Sequence, residues 1–238
     1  MRNALAIPVD KQTTLIIASD NSGAIGMKAN DHVRVPYETV SYYSFRVAAM
    51  ECISAGGEVI SVVLQNFCGN EAWEQLVKGI NKGLEELGLQ DVSITGSTES
   101  NFSLLQSAIG LMVVGKRMTQ KGNEIDSEGV NLAVVGIPLV GHEVIEQEDQ
   151  VVPLSIFQKV SKLNRVITWP VGSKGILYEL QQMLPDLGLT AERVKTAIDV
   201  HKSSGPATCF LAAYRDGQAE ELAKLAGNYL HPITINEA

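Results

Sequence analysis

The sequence predicts an α+β fold: an N-terminal mixed sheet with helices on one side, followed by a smaller α/β half. Three observations lead there. The first half reads strand, strand, helix, strand, helix, strand, strand, which puts its helices on one face of a mixed sheet. The second half alternates apolar β-branched runs with amphipathic stretches. Between them lies a polar, Gly-containing segment, 116–129 (KRMTQKGNEIDSEG), so domains are expected at 1–118 and 119–238.

Taken in order, 13–19 (TTLIIAS) is a β-branched strand, and Asp20 is expected at its tip, followed by a turn with Gly23 and Gly26. Residues 33–37 (VRVPY) form a short strand with Pro36 near its end, as on an edge. From Glu38 to Ala55 the period becomes helical, with Val40, Tyr43, Val47, Met50 and Ile53 at spacings of three and four and Gly56-Gly57 as the stop. Residues 58–67 form a strand. Residues 69–89 form an amphipathic helix with Asn70 as N-cap, Glu71 and Glu74 near its positive end, and Gly88 as its stop. A short strand at 92–97 and a long strand or bent pair at 103–117 close the half. In the second half, strands are expected at 130–141, 166–173 and 207–214, and helices at 150–163, 174–189, 190–201 and 217–230.

The 238 residues are 45% hydrophobic and 19% charged, which fits a globular chain with a substantial core. The formal net charge is −8, and no run of Lys and Arg supplies the phosphate contacts that nucleic-acid binding requires. Nucleotides remain accessible to an acidic protein through a bridging divalent metal. No stretch approaches the ~20 apolar residues of a membrane helix, and the N-terminal segment lacks a signal-peptide pattern. Cys52, Cys68 and Cys209 are scattered and read as reduced thiols, as in a cytoplasmic protein.

Among the motifs, 110–117 (GLMVVGKR) meets part of the P-loop pattern. Its apolar middle reads as a strand, however, and Arg117 stands where the hydroxyl residue should be. Residues 134–141 (VVGIPLVG) lack the glycine order of a dinucleotide fingerprint. The segment from Asp20 to Gly26 is either a turn built on Asx bonding or a metal or phosphate site. The same choice applies to 93–102 (SITGSTESNF), where Glu99 follows a strand end. Glu51 lies inside an apolar helix, either on a solvated face, paired with a cation such as Arg46, or bound to a metal.

The succession ASDNSGAIG, YETVSYYSFRVAAMECISAGGEVISVVLQNF, SITGSTESN and AIGLMVVGKR resembles the aminoimidazole ribonucleotide (AIR) synthase superfamily, over roughly 14–118. Asp20 matches the first Asp of that pattern, Glu51 falls at the helix Asp, Gly56 matches the following Gly, and Glu99 stands for the acid of a Gly-Gly-acid-Thr turn. The chain departs from the pattern at Glu51 (Asp expected), Met50 (Asn expected) and Gly96 (one Gly where two are usual). Within the superfamily, SDNSGAIG and GSTESNF resemble the α-ribazole kinase subgroup of cobamide salvage.

The resemblance implies a two-domain AIR-synthase-like fold whose N-terminal sheet pairs into a barrel in a homodimer. It implies ATP and Mg2+ as cofactors, a nucleoside-like acceptor, and no nucleic acid or membrane partner. Asp20, Glu51 and Glu99 would be the catalytic and metal-holding carboxylates. Asn21, Ser22, Gly23, Gly26, Lys28, Gly96 and Thr98 would join Asp20 around the nucleotide. Asp20 or Asp31 would be the general base, and 168–175 with Trp169 and 201–208 would form the acceptor pocket. The alternatives are a kinase or synthetase of the thiamine-monophosphate-kinase type, or a non-catalytic nucleotide or metabolite sensor.

Overall fold

The computed structural model describes residues 4–118 and 129–236, and the chain divides into two compact units, Arg2–Gly122 and Asn123–Ala238. Most of the polar segment read as an inter-domain boundary lies outside the described residues.

The first unit runs β1 (Ala4–Pro8), β2 (Thr13–Gly23), β3 (Ile25–Gly26), β4 (Val33–Arg34), α1 (Tyr37–Ser54), β5 (Glu58–Asn66), α2 (Trp73–Glu86), β6 (Ser93–Thr98) and β7 (Ala108–Met118). Its main sheet has the order β1-β2-β7-β5-β6. All neighbours are antiparallel except β5 and β6, which are parallel. The mixed sheet with one-sided helices is therefore as the sequence predicts. Strand alternation explains the burial. In β2, Thr14, Ile16 and Ala18 turn inward and are buried, as are Ile109, Leu111 and Val113 of β7 and Val62 and Leu64 of β5. Both helices cover that inward face. The segment that partly matches a P-loop is the body of β7, as its apolar middle indicates.

Packing between α1 and α2 depends on two glycines one helical turn apart. A Cβ on Gly79 would overlap the Glu38 carbonyl and the Ser41 hydroxyl, and one on Gly83 would overlap the Phe45 ring. Phe45 has no exposed surface, so the helix pair can only close over it if these positions stay bare. The opposite face of the sheet carries Leu5 and Ile7 of β1, Leu15 and Ile17 of β2, and Met112 and Val114 of β7, in one register. Leu5 remains 59% exposed.

Several boundaries differ from the sequence reading. β1 was not foreseen, and β2 continues through Asp20 to Gly23 because these residues keep pairing with β7 out to Ala108. Asn70 is not the cap of α2: residues 70–72 form a 3-10 turn, and Ala72 holds the cap position. Residues 103–107 are a loop, so β7 is one strand from Ala108.

The second unit runs β8 (Asn131–Val135), α3 (Glu143–Glu146), α4 (Leu154–Ser161), β9 (Val166–Pro170), α5 (Gly175–Met183), β10 (Val194–Lys195), β11 (Phe210–Tyr214), α6 (Ala219–Ala226) and β12 (Leu230–Ile235). The sheet order is β10-β12-β8-β11-β9, all antiparallel. Leu132, Val134, Leu211 and Ala213 pack with Ile176 and Leu180 of α5. Phe210 meets Phe157 of α4 edge-on at 5.2 Å. Phe210 and Leu211, neighbours in β11, thus serve two separate layers.

The expected helix at 190–201 is absent. Val194, Thr196, Ile198 and Val200 are β-branched at every second position, a strand period, and Val194–Lys195 pairs with β12. Arg193 fixes the turn by donating to the carbonyls of Leu187 at 2.6 Å and Gly188 at 3.2 Å. β12 itself was hidden by Pro232. Its outer neighbour β10 covers only Thr234 and Ile235, so the rest of β12 tolerates proline as an edge does.

Gly79→Ala is expected to lower unfolding free energy by about 2 kcal/mol or more, in the range of core overpacking, whereas Gly88→Ala, where a Cβ meets nothing but φ is +63°, should cost about 1 kcal/mol. Urea denaturation of both variants checks the ranking.

Candidate functional site

Loops at the strand ends of the first unit converge on a cleft of about 240 Å3 lined by Lys28, Phe67, Cys68, Glu71, Glu99, Phe102 and their neighbours. The parallel pair β5–β6 builds it by delivering two C-terminal ends to one place, Asn66 opposite Thr98. In open sheets such ends are where ligands are commonly held. Asn66 stitches the turn: its amide donates to the Gly69 carbonyl at 2.8 Å and to Thr98 Oγ1 at 3.1 Å, while its oxygen accepts from Cys68 N–H.

Lys28 is not a solvated surface lysine. Its ammonium donates to the carbonyls of Phe67 at 3.1 Å and Leu104 at 3.0 Å, tying two loops together. Its backbone N–H donates to Asp31, whose carboxylate also accepts from the Ser107 amide and hydroxyl, both at 2.7 Å. Burial works to raise the Asp31 pKa, but the Ser107 and Lys28 hydrogen bonds outweigh it and hold the group below the usual carboxylate range. Asp31 is thus committed as a loop acceptor, which argues against it as a general base. Gly26 (φ +152°) must stay bare because a Cβ would strike Ser107 and Tyr37.

Glu99 follows β6 and faces the cleft, its Oε1 accepting from the amides of Asn101 at 2.7 Å and Phe102 at 3.1 Å. Gly96 and Thr98 lie within β6. A Cβ on Gly96 would overlap the Leu64 carbonyl, so this glycine answers to sheet packing. Asn21, Ser22 and Gly23 are paired residues of β2, opposite Gly110, Ile109 and Ala108.

Asp20 sits within β2 on the helix-covered face, beyond buried Ile16 and Ala18. Burial pushes its pKa up from 3.8 to about 6, against hydrogen bonds from Ser44 of α1 and the Asn21 amide. The register aligns Asp20 with Leu111, Leu64 and Gly96. Asp20 and the β6 end are therefore separated by three inter-strand steps, about 14 Å. Glu51 is buried at 7% exposure, seven residues beyond Ser44 in α1, about 10 Å further along the helix axis. The expected carboxylate cage is thus not assembled: among the described residues, no three His, Cys, Asp or Glu side chains come together to hold a metal ion. Strand and helix spacing, not side-chain choice, keeps Asp20, Glu51 and Glu99 apart within one protomer.

Sequence reasoning missed Phe67, Phe102 and Asn66, and read Glu71 only as a helix-end charge. The available signal was Phe102, a bulky apolar residue in an otherwise polar turn; it is 78% exposed.

In the second unit the two segments proposed for an acceptor do meet: Ser204 N–H donates to the Gly172 carbonyl at 3.1 Å. The indole N–H of Trp169 donates to Glu179 Oε2 at 2.8 Å, and its ring is partly buried against the core. Burial raises the pKa of Glu179 against this bond and the Gly172 amide.

No helix among the described residues is long and apolar enough to cross a membrane, and the three cysteines are buried and unbridged. No protein-family model and no curated protein sequence matches the chain. Solved structures do. T. maritima PurL complexed with ADP superposes with TM-score 0.63 at 9% identity, over 99% of this chain and 42% of that one. Thiamine monophosphate kinase from Aquifex aeolicus gives 0.63 at 12% identity, over 99% and 89%. AaThiL complexed with AMPPCP and TMP gives 0.60 at 12%, over 100% and 85%. The chain has the AIR-synthase-like fold of these proteins, and it spans less than half the length of PurL.

A raised Asp20 pKa means the folded chain binds that proton more tightly than the unfolded one. Stability therefore falls as pH rises from about 4 to about 6 and stays reduced above. At roughly 1.4 kcal/mol per unit the cost is of order 3 kcal/mol. Asp20→Asn is expected to be more stable than the parent by up to that amount at pH 8 and equal to it near pH 3.5, read by urea melts at both values.

Proposed function

We propose that the chain is an ATP-dependent phosphotransferase acting on a small nucleoside-like alcohol, with α-ribazole the first acceptor to try. The observation that carries the reading is the cleft at the paired C-terminal ends of β5 and β6, where Lys28, Glu71 and Glu99 converge. The shared fold supports it, since one structure of that fold holds AMPPCP and TMP. In the reaction, the acceptor hydroxyl oxygen bonds to the γ-phosphorus, the bond from phosphorus to the ADP oxygen breaks, and the hydroxyl proton leaves to a base. Phosphoryl transfer asks a protein mainly for positioning and charge stabilisation.

Asp20 and Glu99 enter this proposal as separate carboxylates, and Glu51 stays outside it. Magnesium would come with the nucleotide, for it needs only one or two carboxylates beside phosphate oxygens and water. Lys28 would keep the cleft in shape through its two carbonyl bonds. The open apolar face around Leu5, Ile7 and Ile17 supports a homodimer, because a sheet face of this kind is normally covered.

The unassembled carboxylates favour a second reading, a nucleotide-binding sensor without turnover. Assay of ADP release from Mg-ATP, with and without α-ribazole and with mass analysis of the acceptor, separates the two. The kinase reading expects acceptor-dependent ADP and a singly phosphorylated product, lowered at least about ten-fold by Lys28→Ala, the scale of a lost positioning contact. ADP without acceptor dependence would point to a synthetase-like ATPase, and nucleotide binding with no ADP to the sensor.

For the assembly, sedimentation is expected to give a dimer for the parent and a monomer for Ile17→Arg with an unchanged far-UV spectrum. A monomeric parent would remove the dimer from the proposal.

A further inference from the structure

Three features of the cleft bear on what it holds. First, its volume of about 240 Å3 lies below the ~300 Å3 at which pockets begin to enclose a whole drug-sized ligand, so it takes one end of a ligand. Second, its charge is wrong for bare phosphate. One lysine faces two glutamates, and the lysine ammonium is already bonded to the carbonyls of Phe67 and Leu104. Carboxylates accept from hydroxyl and amino groups and repel phosphate oxygens. Third, two phenyl rings line it. Phe102 is 78% and Phe67 39% exposed, apolar surface that a flat ring packed against them would partly remove from water.

We propose that this cleft is the ring subsite for the acceptor: Phe102 and Phe67 hold a planar heterocycle while Glu71 accepts from its sugar hydroxyls. The inference deepens the phosphotransferase reading and rests on it for the word acceptor, but the subsite itself does not require that turnover occurs. It places the acceptor ring in the first unit and not against Trp169, whose indole is engaged by Glu179. The rigidity of the loops supports it. Glu99 caps the turn that carries Phe102 through the Asn101 and Phe102 amides, and Lys28 ties Leu104 to the turn that carries Phe67. The rings are presented by a braced frame, which reduces the ordering cost of binding.

The test is calorimetric titration of the full chain with α-ribazole, with adenosine and with ribose, each free of phosphate and metal, alongside a separate titration with Mg-ATP. The parent is expected to bind at least one of the two nucleosides and not ribose. Phe102→Ala should weaken that binding about ten-fold or more, the scale of one lost base–aromatic stack, and Phe102→Trp should restore it. Mg-ATP affinity should stay within about two-fold in both variants. Phe102 is a surface side chain, so the variants should fold, which melting checks. Failure of the parent to bind either nucleoside, unchanged binding in Phe102→Ala, or an equal loss of Mg-ATP would overturn the subsite. The phosphotransferase reading fails on a different arm, when the parent binds no Mg-ATP or releases no ADP, whatever the nucleoside titration gives.

Discussion

Burial of one sheet face is the constraint from which the first unit follows. α1 and α2 cover the inward residues of β2, β7 and β5, and a strand's period of two then fixes the direction of every other side chain on those strands. Asp20 cannot turn outward without turning Ile16 and Ala18 outward too. Its carboxylate is held beneath α1 against Ser44 because the hydrophobic register demands it, and its raised pKa records that cost. The same register fixes the distance from Asp20 to β6. A metal cage drawn from both would have to span β7 and β5, whose Leu111 and Leu64 are buried between them.

The cleft obeys a different logic. Beyond the last paired rows the backbone leaves the sheet, and its polar groups need partners other than strands. They find them in side chains: Asn66 for the β5 turn, Glu99 for the turn after β6, Asp31 for Ser107, and Lys28 for the carbonyls of Phe67 and Leu104. The bonds of Lys28 and Asp31 cross long stretches of sequence, 76 residues between Lys28 and Leu104 and between Asp31 and Ser107. Loops braced in this way keep a shape that binding does not have to create.

Much of the first unit was legible because its signals are local. The spacing of Val40, Tyr43, Val47 and Met50 locates α1, and the β-branched run at 58–66 locates β5. The apolar middle of GLMVVGKR excluded a phosphate loop for the reason the strand confirms. What failed depended on pairing partners. Asp20 looked like a strand tip because polar residues follow it, yet β7 continues opposite and keeps Asp20–Gly23 extended. Residues 190–201 carried helix-forming Ala, Glu, Arg and Lys together with alternate β-branched residues, and the pairing with β12 decided between them. Within the candidate site, Lys28 and Glu99 were brought to one cleft, but Phe102 was invisible to a search for charge, since its signal is an apolar ring within a polar turn.

The two loci differ in what a ligand would meet. At Asp20 it would meet a partly desolvated acid whose ionisation is costly, so a cation, or the metal ion of a phosphate–metal complex, arriving there would be attracted and would lower the pKa again. At the cleft it would meet rings and hydrogen-bond acceptors already engaged in bracing. A nucleotide complex and a neutral ring are complementary to these environments in opposite senses, so the fold separates them by charge as well as by distance. If both are used, the chain must bring their ligands together from positions that its own sheet keeps three strands apart, which an elongated ligand can bridge and a single metal ion cannot.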